Sequence, residues 1–316
     1  MTPSELDNLP LYVILNAGSG HAETDLQRQT IEEELARAGR RFELTVVDQP
    51  DQLDDIARQA VERARRDGGI IVAAGGDGTI NTVARATLSS GCPFGVLPQG
   101  TFNYFGRTHG ISQDLAEAVR ALLTAQVKPV QVGRLNDRIF LVNASVGLYP
   151  TVLEQRERDK RQYGRSRLIA LLSAVKTILG FSKQLTIRLD LQDMPETIRT
   201  TTLFVGNNAL QMEQVGIETM KLALEEGRLA AVAPKSIGKL AMLGLVLRGA
   251  LGKLGSAEDL VAFSFKRMTV RHRAWYRKRK VKVAIDGEVT HLAPPLVFEV
   301  IEDQLLLLVP EHPVRS

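Results

Sequence analysis

Cysteine is nearly absent from this 316-residue sequence, and its scarcity limits the folds that the chain can form. Cys92 is the only cysteine, so no internal disulfide can form and a reducing compartment is compatible with the chain. The five histidines show no spacing typical of a zinc site. A disulfide scaffold or a structural zinc fold is therefore not expected.

Extended apolar segments are also missing. The longest strongly apolar run, Leu240 to Leu247, is far shorter than the ~20 residues that a membrane-spanning helix needs. Residues 1–10 are polar and slightly acidic, and they lack the basic and apolar regions of a secretory signal. We therefore expect a cytoplasmic protein.

The net charge of +4 is too small to indicate a partner by itself. Basic residues are concentrated in 156–167 and in Arg271–Lys282 (RHRAWYRKRKVK). Such runs suit phosphate-rich partners, such as an anionic membrane surface, and they are equally consistent with a solvated basic face. No nucleic-acid-binding module surrounds Trp275 and Tyr276, so no nucleic-acid partner is expected.

The order of apolar segments predicts two domains, for which the chain is long enough. Over residues 1–129, short strands alternate with amphipathic helices, which predicts an α/β domain with a parallel sheet. The strands are predicted at 11–16, 42–47, 70–74 and 94–97, and the helices at 24–38, 52–66, 80–89 and 115–125. Over 130–300, strands dominate and the predicted helices are 167–179 and 237–251, which favours a mainly antiparallel β domain. Residues 301–316 are expected to form a terminal strand and tail that can return to the first domain. The strands predicted after residue 129 are 130–133, 139–146, 185–191, 200–206, 229–232, 261–270, 280–285, 296–300 and 305–309.

A glycine-rich turn follows the third predicted strand, within Ile70–Ala84 (IIVAAGGDGTINTVA). Gly75 and Gly76 carry no side chain, so the backbone there can approach a phosphate closely. Thr79 can cap the following helix, whose first N–H groups attract anions. Asp77 is the only charged residue of the turn, and a carboxylate beside phosphates is favourable only when a cation or proton mediates. The turn therefore predicts a phosphate site with a contact to Mg²⁺ or to a hydroxyl.

Two further polar loops leave predicted strands of the same sheet: Asn16–Gly20 (NAGSG) and Leu97–Asn103 (LPQGTFN). Because parallel strands end at one edge of a sheet, we expect the three loops to converge. The first loop resembles part of a dinucleotide fingerprint, but Glu23 stands where the third glycine belongs and would repel a pyrophosphate. No segment of the form GxxxxGKS or GxxxxGKT is present, which excludes a P-loop enzyme.

Two carboxylates flank a glycine late in the chain, in Ile285–Glu288 (IDGE). In an extended chain, Asp286 and Glu288 would point to the same side. Paired carboxylates can supply a general base together with metal or hydrogen-bond support. A hairpin turn is the common alternative for an Asp-Gly pair.

The order of these segments resembles that of the diacylglycerol kinase catalytic family, in particular its soluble bacterial lipid kinases. Sphingosine kinases and NAD kinases are more distant matches. The resemblance covers nearly the whole chain. It rests on Asn16, Ser19 and Gly20, on Gly75 to Thr79 with Asn81, on Leu97, Pro98, Gly100, Thr101 and Asn103, on Phe140–Gly147, and on Asp286 to Glu288.

The resemblance implies that ATP with Mg²⁺ binds between an α/β nucleotide domain and a β-sandwich domain, and that a lipid hydroxyl accepts the phosphate. Asp77 would contact Mg²⁺, while Glu288, with Asp286 as second candidate, would activate the acceptor. Glu226 stands in the family's Asp-Gly-x-Leu segment and would hold a second metal. The nucleotide would be bound by Asn16, Gly18, Ser19, Gly20, Gly75, Gly76, Gly78, Thr79, Asn81, Gly100, Thr101 and Asn103.

The sequence departs from the family where Gly100–Tyr104 (GTFNY) replaces Gly-Thr-Gly-Asn-Asp. The aromatic residues Phe102 and Tyr104 leave two alternatives open. One is a kinase for a soluble hydroxyl, such as the ribose of NAD, and the other is a nucleotide- or lipid-binding protein without catalysis.

The apolar segment Ile237–Leu254 fits a lid over an acyl chain or an interfacial helix, and it fits a core helix equally well. Together with the basic run Arg271–Lys282, it fits a protein that binds reversibly to the inner face of an anionic membrane. The sequence leaves the oligomeric state open, a homodimer included.

Overall fold

The structure, a computed structural model, describes residues 6, 8–18, 21–163, 180, 184–191, 194–214, 216–250, 253, 259–277 and 279–314. The chain divides into two compact units. The first unit comprises the chain up to Val132 together with the chain from Ile301 onward, and the second comprises Gly133–Val300.

The strands and helices are numbered in chain order. The strands are β1 (Leu11–Asn16), β2 (Phe42–Val47), β3 (Ile70–Gly75), β4 (Pro93–Pro98), β5 (Gln126–Leu135), β6 (Arg138–Phe140), β7 (Asn143–Gly147), β8 (Leu185–Leu191), β9 (Met194–Thr200), β10 (Thr202–Gly206), β11 (Leu229–Pro234), β12 (Leu260–Phe265), β13 (Arg267–His272), β14 (Val281–Ile285), β15 (Glu288–Leu292) and β16 (Leu296–Val309). The helices are α1 (His21–Arg37), α2 (Leu53–Asp67), α3 (Asp77–Thr87), α4 (Tyr104–Thr108), α5 (Leu115–Leu123), α6 (Leu148–Tyr163), α7 (Ala209–Gln214), α8 (Glu218–Glu225) and α9 (Lys239–Ala250).

A parallel sheet forms the centre of the first unit. Its strand order is β2-β1-β3-β4, and the last part of β16 pairs in parallel with β4. Every residue of β3 and β4 is buried, which explains why these strands are continuous apolar runs rather than alternating ones. The predicted parallel sheet is confirmed.

Helix α3 begins at Asp77, directly after β3 ends at Gly75. The prediction placed this helix start at Ile80, so the structure moves the Gly-Gly-Asp-Gly-Thr turn into the first turn of the helix. The cause is local, because the C=O of Gly76 already accepts the N–H of Ile80, at 3.0 Å. Asp77, Gly78 and Thr79 therefore have their N–H groups at a helix N-terminus.

Two antiparallel sheets form the second unit. One has the order β12-β11-β10-β7-β14-β15, and in the other β13 pairs with the first part of β16 and with β8, which pairs with β9. Side chains of both sheets share one core, for example Val205 and Val283 from the first and Val270 and Phe298 from the second. The predicted fold class, an α/β domain followed by a mainly antiparallel β domain, is confirmed.

The prediction of the second unit was wrong in several strands. The run 139–146 is not one strand but β6 and β7, and 261–270 is divided between β12 and β13. The runs 296–300 and 305–309 form one strand, and β9 was not predicted. Apolar content shows which segments are buried, but it does not show where a strand is interrupted.

Helices α6, α7 and α8 were also not predicted. Pro150 is the third residue of α6, where its missing N–H costs nothing. The predicted helix 167–179 lies outside the described residues.

The apolar helix α9 has one side in contact with the protein. Met242 is buried beside Leu148, whereas Leu240 is 81% exposed. This arrangement agrees with a core contact on one face and leaves the lid interpretation untested. Within the described parts of the chain, every helix is too short or too polar to cross a membrane.

Candidate active site

Loops at the carboxyl ends of β1, β3 and β4 meet in the first unit, where these strands are neighbours. The Nδ2 of Asn16 donates a hydrogen bond to the Oγ1 of Thr79, at 2.7 Å. The N–H of Gln99 donates to the C=O of Gly75, at 2.8 Å. For the described residues, the predicted convergence of the three loops is confirmed. Ser19 and Gly20 lie outside the described residues.

Gly75 and Gly100 are required by the packing of these loops. A Cβ atom on Gly75 would lie 2.7 Å from the Cβ of Thr79, and one on Gly100 would lie 2.8 Å from the Cα of Gly76. Both distances are shorter than van der Waals contact allows. Gly75 therefore leaves room for the Thr79 side chain, and Gly100 lets its backbone lie against that of Gly76. The interpretation as a phosphate loop had not included these contacts.

Asp77 links the turn after β3 to the loop after β4. Its carboxylate accepts hydrogen bonds from the N–H groups of Tyr104 and Phe105, both at 3.4 Å. Burial raises the pKa of Asp77, and the backbone hydrogen bonds oppose this rise. Because a carboxylate offers roughly four lone-pair directions, these two long bonds leave capacity for a cation.

Asn103 holds the loop after β4 in shape. It is buried and has a left-handed backbone, with φ of 49°. Its Oδ1 accepts the N–H of Gly100 at 2.7 Å, and its Nδ2 donates to the C=O of Gly100 at 2.9 Å and to the Oε1 of Gln113 at 2.6 Å. These bonds make Asn103 a brace of the loop rather than a group that points at a ligand.

Phe102 and Tyr104, the two departures from the family sequence, flank this brace. Their rings are stacked with centroids 5.7 Å apart, and Phe102 is 51% exposed. The pair adds an aromatic surface beside the loop.

Gln99 was missed by the sequence analysis. Its Nε2 is buried and has no hydrogen-bond partner among the described residues. Leaving such a donor unpaired costs about 1–3 kcal/mol. A phosphate oxygen would supply the missing acceptor, and Gln99 adjoins Gly100 and bonds to Gly75. Its place inside the Leu97–Asn103 motif was the only signal in the sequence, because the unpaired state depends on the folded loop.

In the second unit, Asp286 is bound to the backbone between β6 and β7. Its carboxylate accepts the N–H groups of Leu141, Val142 and Asn143 at 2.8, 2.9 and 2.8 Å. In return, the N–H of Asp286 donates to the C=O of Asn143, at 2.8 Å. Three of its roughly four lone-pair directions are therefore occupied, which makes Asp286 a positioning residue in this structure.

Asp286 and Gly287 form the tight turn of the β14–β15 hairpin, with Ile285 paired to Glu288. Both turn residues have positive φ, 44° and 85°, as the two-residue hairpin turn requires. The hairpin turn, the common alternative for an Asp-Gly pair, is therefore present, and Asp286 and Glu288 do not lie on one extended strand. The preference of an Asp-Gly pair for a two-residue turn outweighs the strand-forming pattern around it.

Glu288 is exposed at the start of β15, and no ion pair to it is found in the part of the chain that the structure describes. Asn143 lies in the segment that Asp286 binds and is only 6% exposed. Its Nδ2 donates to the Oε1 of Gln211 at 3.1 Å, while its buried Oδ1 has no partner among the described residues. The hairpin turn thus lies beside a segment with an unused buried acceptor.

The other predicted residues are less informative. Gly18 and Thr101 are exposed, and Gly78 and Asn81 lie in the first turns of α3. Glu226 is exposed at the end of α8, and within the described ranges no group of three His, Cys, Asp or Glu side chains is arranged to hold a metal. The second metal at Glu226 therefore stays a prediction.

Residues 10–135, which contain all three converging loops, match the family model of the diacylglycerol kinase catalytic domain. These residues belong to the diacylglycerol kinase catalytic domain family. The resemblance found in the sequence is confirmed.

Curated relatives carry names of the same family. A diacylglycerol kinase of Bacillus subtilis is 27% identical over 260 residues, which cover 76% of this chain and 78% of the relative. A diacylglycerol kinase of Staphylococcus haemolyticus is 31% identical over 137 residues, which cover 43% of this chain and 41% of the relative. Several relatives are matched over only 31% to 41% of their own length.

Solved structures agree with the fold. A diacylglycerol kinase from Bacillus anthracis has a TM-score of 0.67 and 17% identity to this chain. The superposition covers 97% of this chain and 98% of that chain. At this identity, the likeness shows the fold alone, and it extends beyond the catalytic-domain match into the second unit.

Replacing Asp77 by Asn tests whether burial of the Asp77 carboxylate lowers the free energy of unfolding when the group is charged. Because burial raises the pKa of Asp77, its stabilising contribution is complete below the usual pKa of about 3.9 and is lost as the pH rises through the folded-state value. We therefore compare the free energy of unfolding of Asp77→Asn with that of the unsubstituted protein by urea unfolding at pH 4 and at pH 7. The difference between the two proteins should shift in favour of Asp77→Asn as the pH rises from 4 to 7. A relative loss over that interval would contradict the burial.

Replacing Asp286 tests its positioning role in the second unit of this diacylglycerol kinase relative. Asp286→Asn presents an amide NH₂ to at least one backbone N–H, so we expect a loss of about 1–3 kcal/mol in the free energy of unfolding. Glu288→Gln, on the same turn, is the matched control and should change it by less than about 0.5 kcal/mol. Equal losses of unfolding free energy in the two variants, measured by urea unfolding, would contradict the positioning role of Asp286.

Proposed function

We propose that the chain is a kinase of the diacylglycerol kinase type that transfers the γ-phosphate of ATP to a lipid hydroxyl with the help of Mg²⁺. The observation that carries the proposal is the buried Nε2 of Gln99, which lies beside the converged loops of the catalytic domain and has no partner among the residues that the structure describes. The names of the relatives support a lipid acceptor.

The phosphate-binding half of the reaction is assigned to the first unit. Backbone N–H groups of the turn Gly75–Thr79 and of the α3 N-terminus are donors suited to phosphate oxygens. Gln99 would add its side-chain donor. The Asn16–Thr79 hydrogen bond fixes the loop after β1 against this turn, so the donors are positioned before ATP binds.

Asp77 is the residue that would hold Mg²⁺. Mg²⁺ is usually bound by one or two carboxylates, with substrate phosphates and water completing six ligands. A single, half-buried carboxylate with capacity for a cation fits this pattern. When bound, Mg²⁺ would neutralise charge on the transferring phosphoryl oxygens.

The acceptor half is assigned to the second unit. Glu288, exposed and without a described ion pair, would take the proton from the acceptor hydroxyl as its oxygen bonds to the γ-phosphorus and ADP leaves. Asn143 would accept a hydrogen bond from a hydroxyl of the substrate through its Oδ1, which has no partner in the described part of the chain. Asp286 would act indirectly, by holding the Leu141–Asn143 backbone in place.

The function is tested by incubating the purified chain with radiolabelled ATP, Mg²⁺ and either extracted lipids or NAD. We expect a labelled lipid, and no labelled NADP. Asp77→Asn should lower the turnover about 10³-fold or more, since it removes the metal ligand. Glu288→Gln should lower kcat by about 10²–10⁴-fold with little change in the KM for ATP, as expected for loss of a general base.

Arg65→Gln is a suitable control, because Arg65 is exposed near the end of α2 and lies outside the loops. It should retain full turnover. Undiminished turnover in Asp77→Asn would refute the site. Label in NAD alone would replace the lipid kinase by a kinase for a soluble hydroxyl, and nucleotide binding without turnover on either acceptor would favour a binding protein without catalysis.

A further inference from the structure

A cavity of about 170 Å³ lies in the second unit where β13 ends. Its lining includes Arg271, His272, Trp275, Arg279, Pro294 and Pro295. None of these residues is acidic. Moreover, the sequence between Leu260 and Ile285 contains lysines and arginines but no aspartate or glutamate. The cavity therefore has an excess of positive charge around it.

Arg271 is held in position by an ion pair. Its Nη1 donates to the carboxylate of Asp190, which also accepts the Nε of Arg188 at 3.2 Å. One carboxylate thus faces two guanidinium groups and cannot neutralise both. Since a guanidinium has five N–H donors, an Arg271 fixed through Nη1 retains donors for a second acceptor. A fixed arginine loses less conformational entropy when it binds an anion.

Arg279 is a second guanidinium group at the cavity, and the acceptors near it already have partners. His272 accepts the N–H of Ala274 at its Nδ1, at 3.1 Å. Arg279 is exposed and is not ion-paired among the described residues. The nearby C=O groups of Ala293 and Pro295 already accept the Nδ2 of Asn136, at 2.8 and 3.3 Å. The C=O acceptors of Ala293 and Pro295 are therefore already used, whereas the guanidinium groups of Arg271 and Arg279 supply N–H donors.

The remaining lining is apolar. Trp275 is only 5% exposed, and its ring centroid lies 5.4 Å from that of His272. Pro294 and Pro295 contribute saturated rings and no N–H groups. A cavity with donors and apolar walls suits an anion that carries a short carbon segment. Its volume of about 170 Å³ equals that of about five or six waters at roughly 30 Å³ each, enough for a phosphate and part of its ester.

We propose that this cavity binds a phosphate monoester, independently of the loops assigned to ATP. Arg271 and Arg279 bind the phosphate oxygens, and Trp275 with the proline rings contacts the carbon segment. A phosphate dianion matches two guanidinium groups better than a singly charged phosphodiester does. The monoester is either the headgroup of a membrane lipid or a small phosphate ester in solution.

The basic run offers a matched pair of substitutions for the test. Arg279→Gln removes a charge from the cavity, whereas Arg273→Gln removes the same charge from an exposed residue that does not line it. Flotation is measured with phosphatidic acid vesicles and with phosphatidylglycerol vesicles of equal surface charge. Calorimetry measures sn-glycerol 3-phosphate as the soluble monoester. Asp77→Asn is included to separate this binding from the proposed kinase site.

Loss of one charge-assisted contact should weaken monoester binding about tenfold in Arg279→Gln, and less than about threefold in Arg273→Gln. Asp77→Asn should bind as the unsubstituted protein does, whether or not the kinase proposal holds. Binding to phosphatidic acid vesicles alone identifies a lipid headgroup, and binding of glycerol phosphate as well identifies a soluble ester. Equal losses in the two arginine variants, equal binding to both vesicle types, or no binding of either monoester would overturn the proposal.

Discussion

Backbone contact between the turn after β3 and the loop after β4 is the constraint on which the candidate site depends. Gly76 and Gly100 lie so close that a side chain on Gly100 would collide with the neighbouring backbone. The contact brings Asp77 to the N–H groups of Tyr104 and Phe105. Beside it, the buried Nε2 of Gln99 has no hydrogen-bond partner within the described parts of the chain. Backbone and amide donors therefore lie close to one carboxylate, and this combination suits a phosphate with a divalent cation.

In the second unit, the carboxylate of Asp286 likewise binds backbone N–H groups and shapes a loop. Asp286 uses its carboxylate to bind three consecutive backbone N–H groups, and this interrupts the strand that would otherwise run from β6 into β7. The interruption positions Asn143, whose buried Oδ1 has no hydrogen-bond partner among the residues described. In both units, a carboxylate that sequence reasoning assigned to chemistry also shapes a loop. The two roles are separable, because backbone binding affects stability whereas metal or proton transfer affects turnover.

Much of the first unit was predictable from sequence, since buried parallel strands are continuous apolar runs. Leu11–Asn16 and Phe42–Val47 were predicted with their observed bounds. The convergence of loops followed from strand direction alone. What could not be predicted depends on folded contacts: the unpaired amide of Gln99, the bracing by Asn103 and the turn at Asp286. Helix α6 was not predicted, and its Pro150 is compatible with a helix because it lies in the first turn.

The central claim is that the converged loops bind the phosphates of ATP. A crystal structure with Mg²⁺ and a non-hydrolysable ATP analogue tests it most directly. The account predicts phosphate oxygens bonded to the Nε2 of Gln99 and to backbone N–H groups of Gly75–Thr79, with Mg²⁺ on the carboxylate of Asp77. Phosphates bound elsewhere, with the Gln99 amide still unpaired, would contradict it.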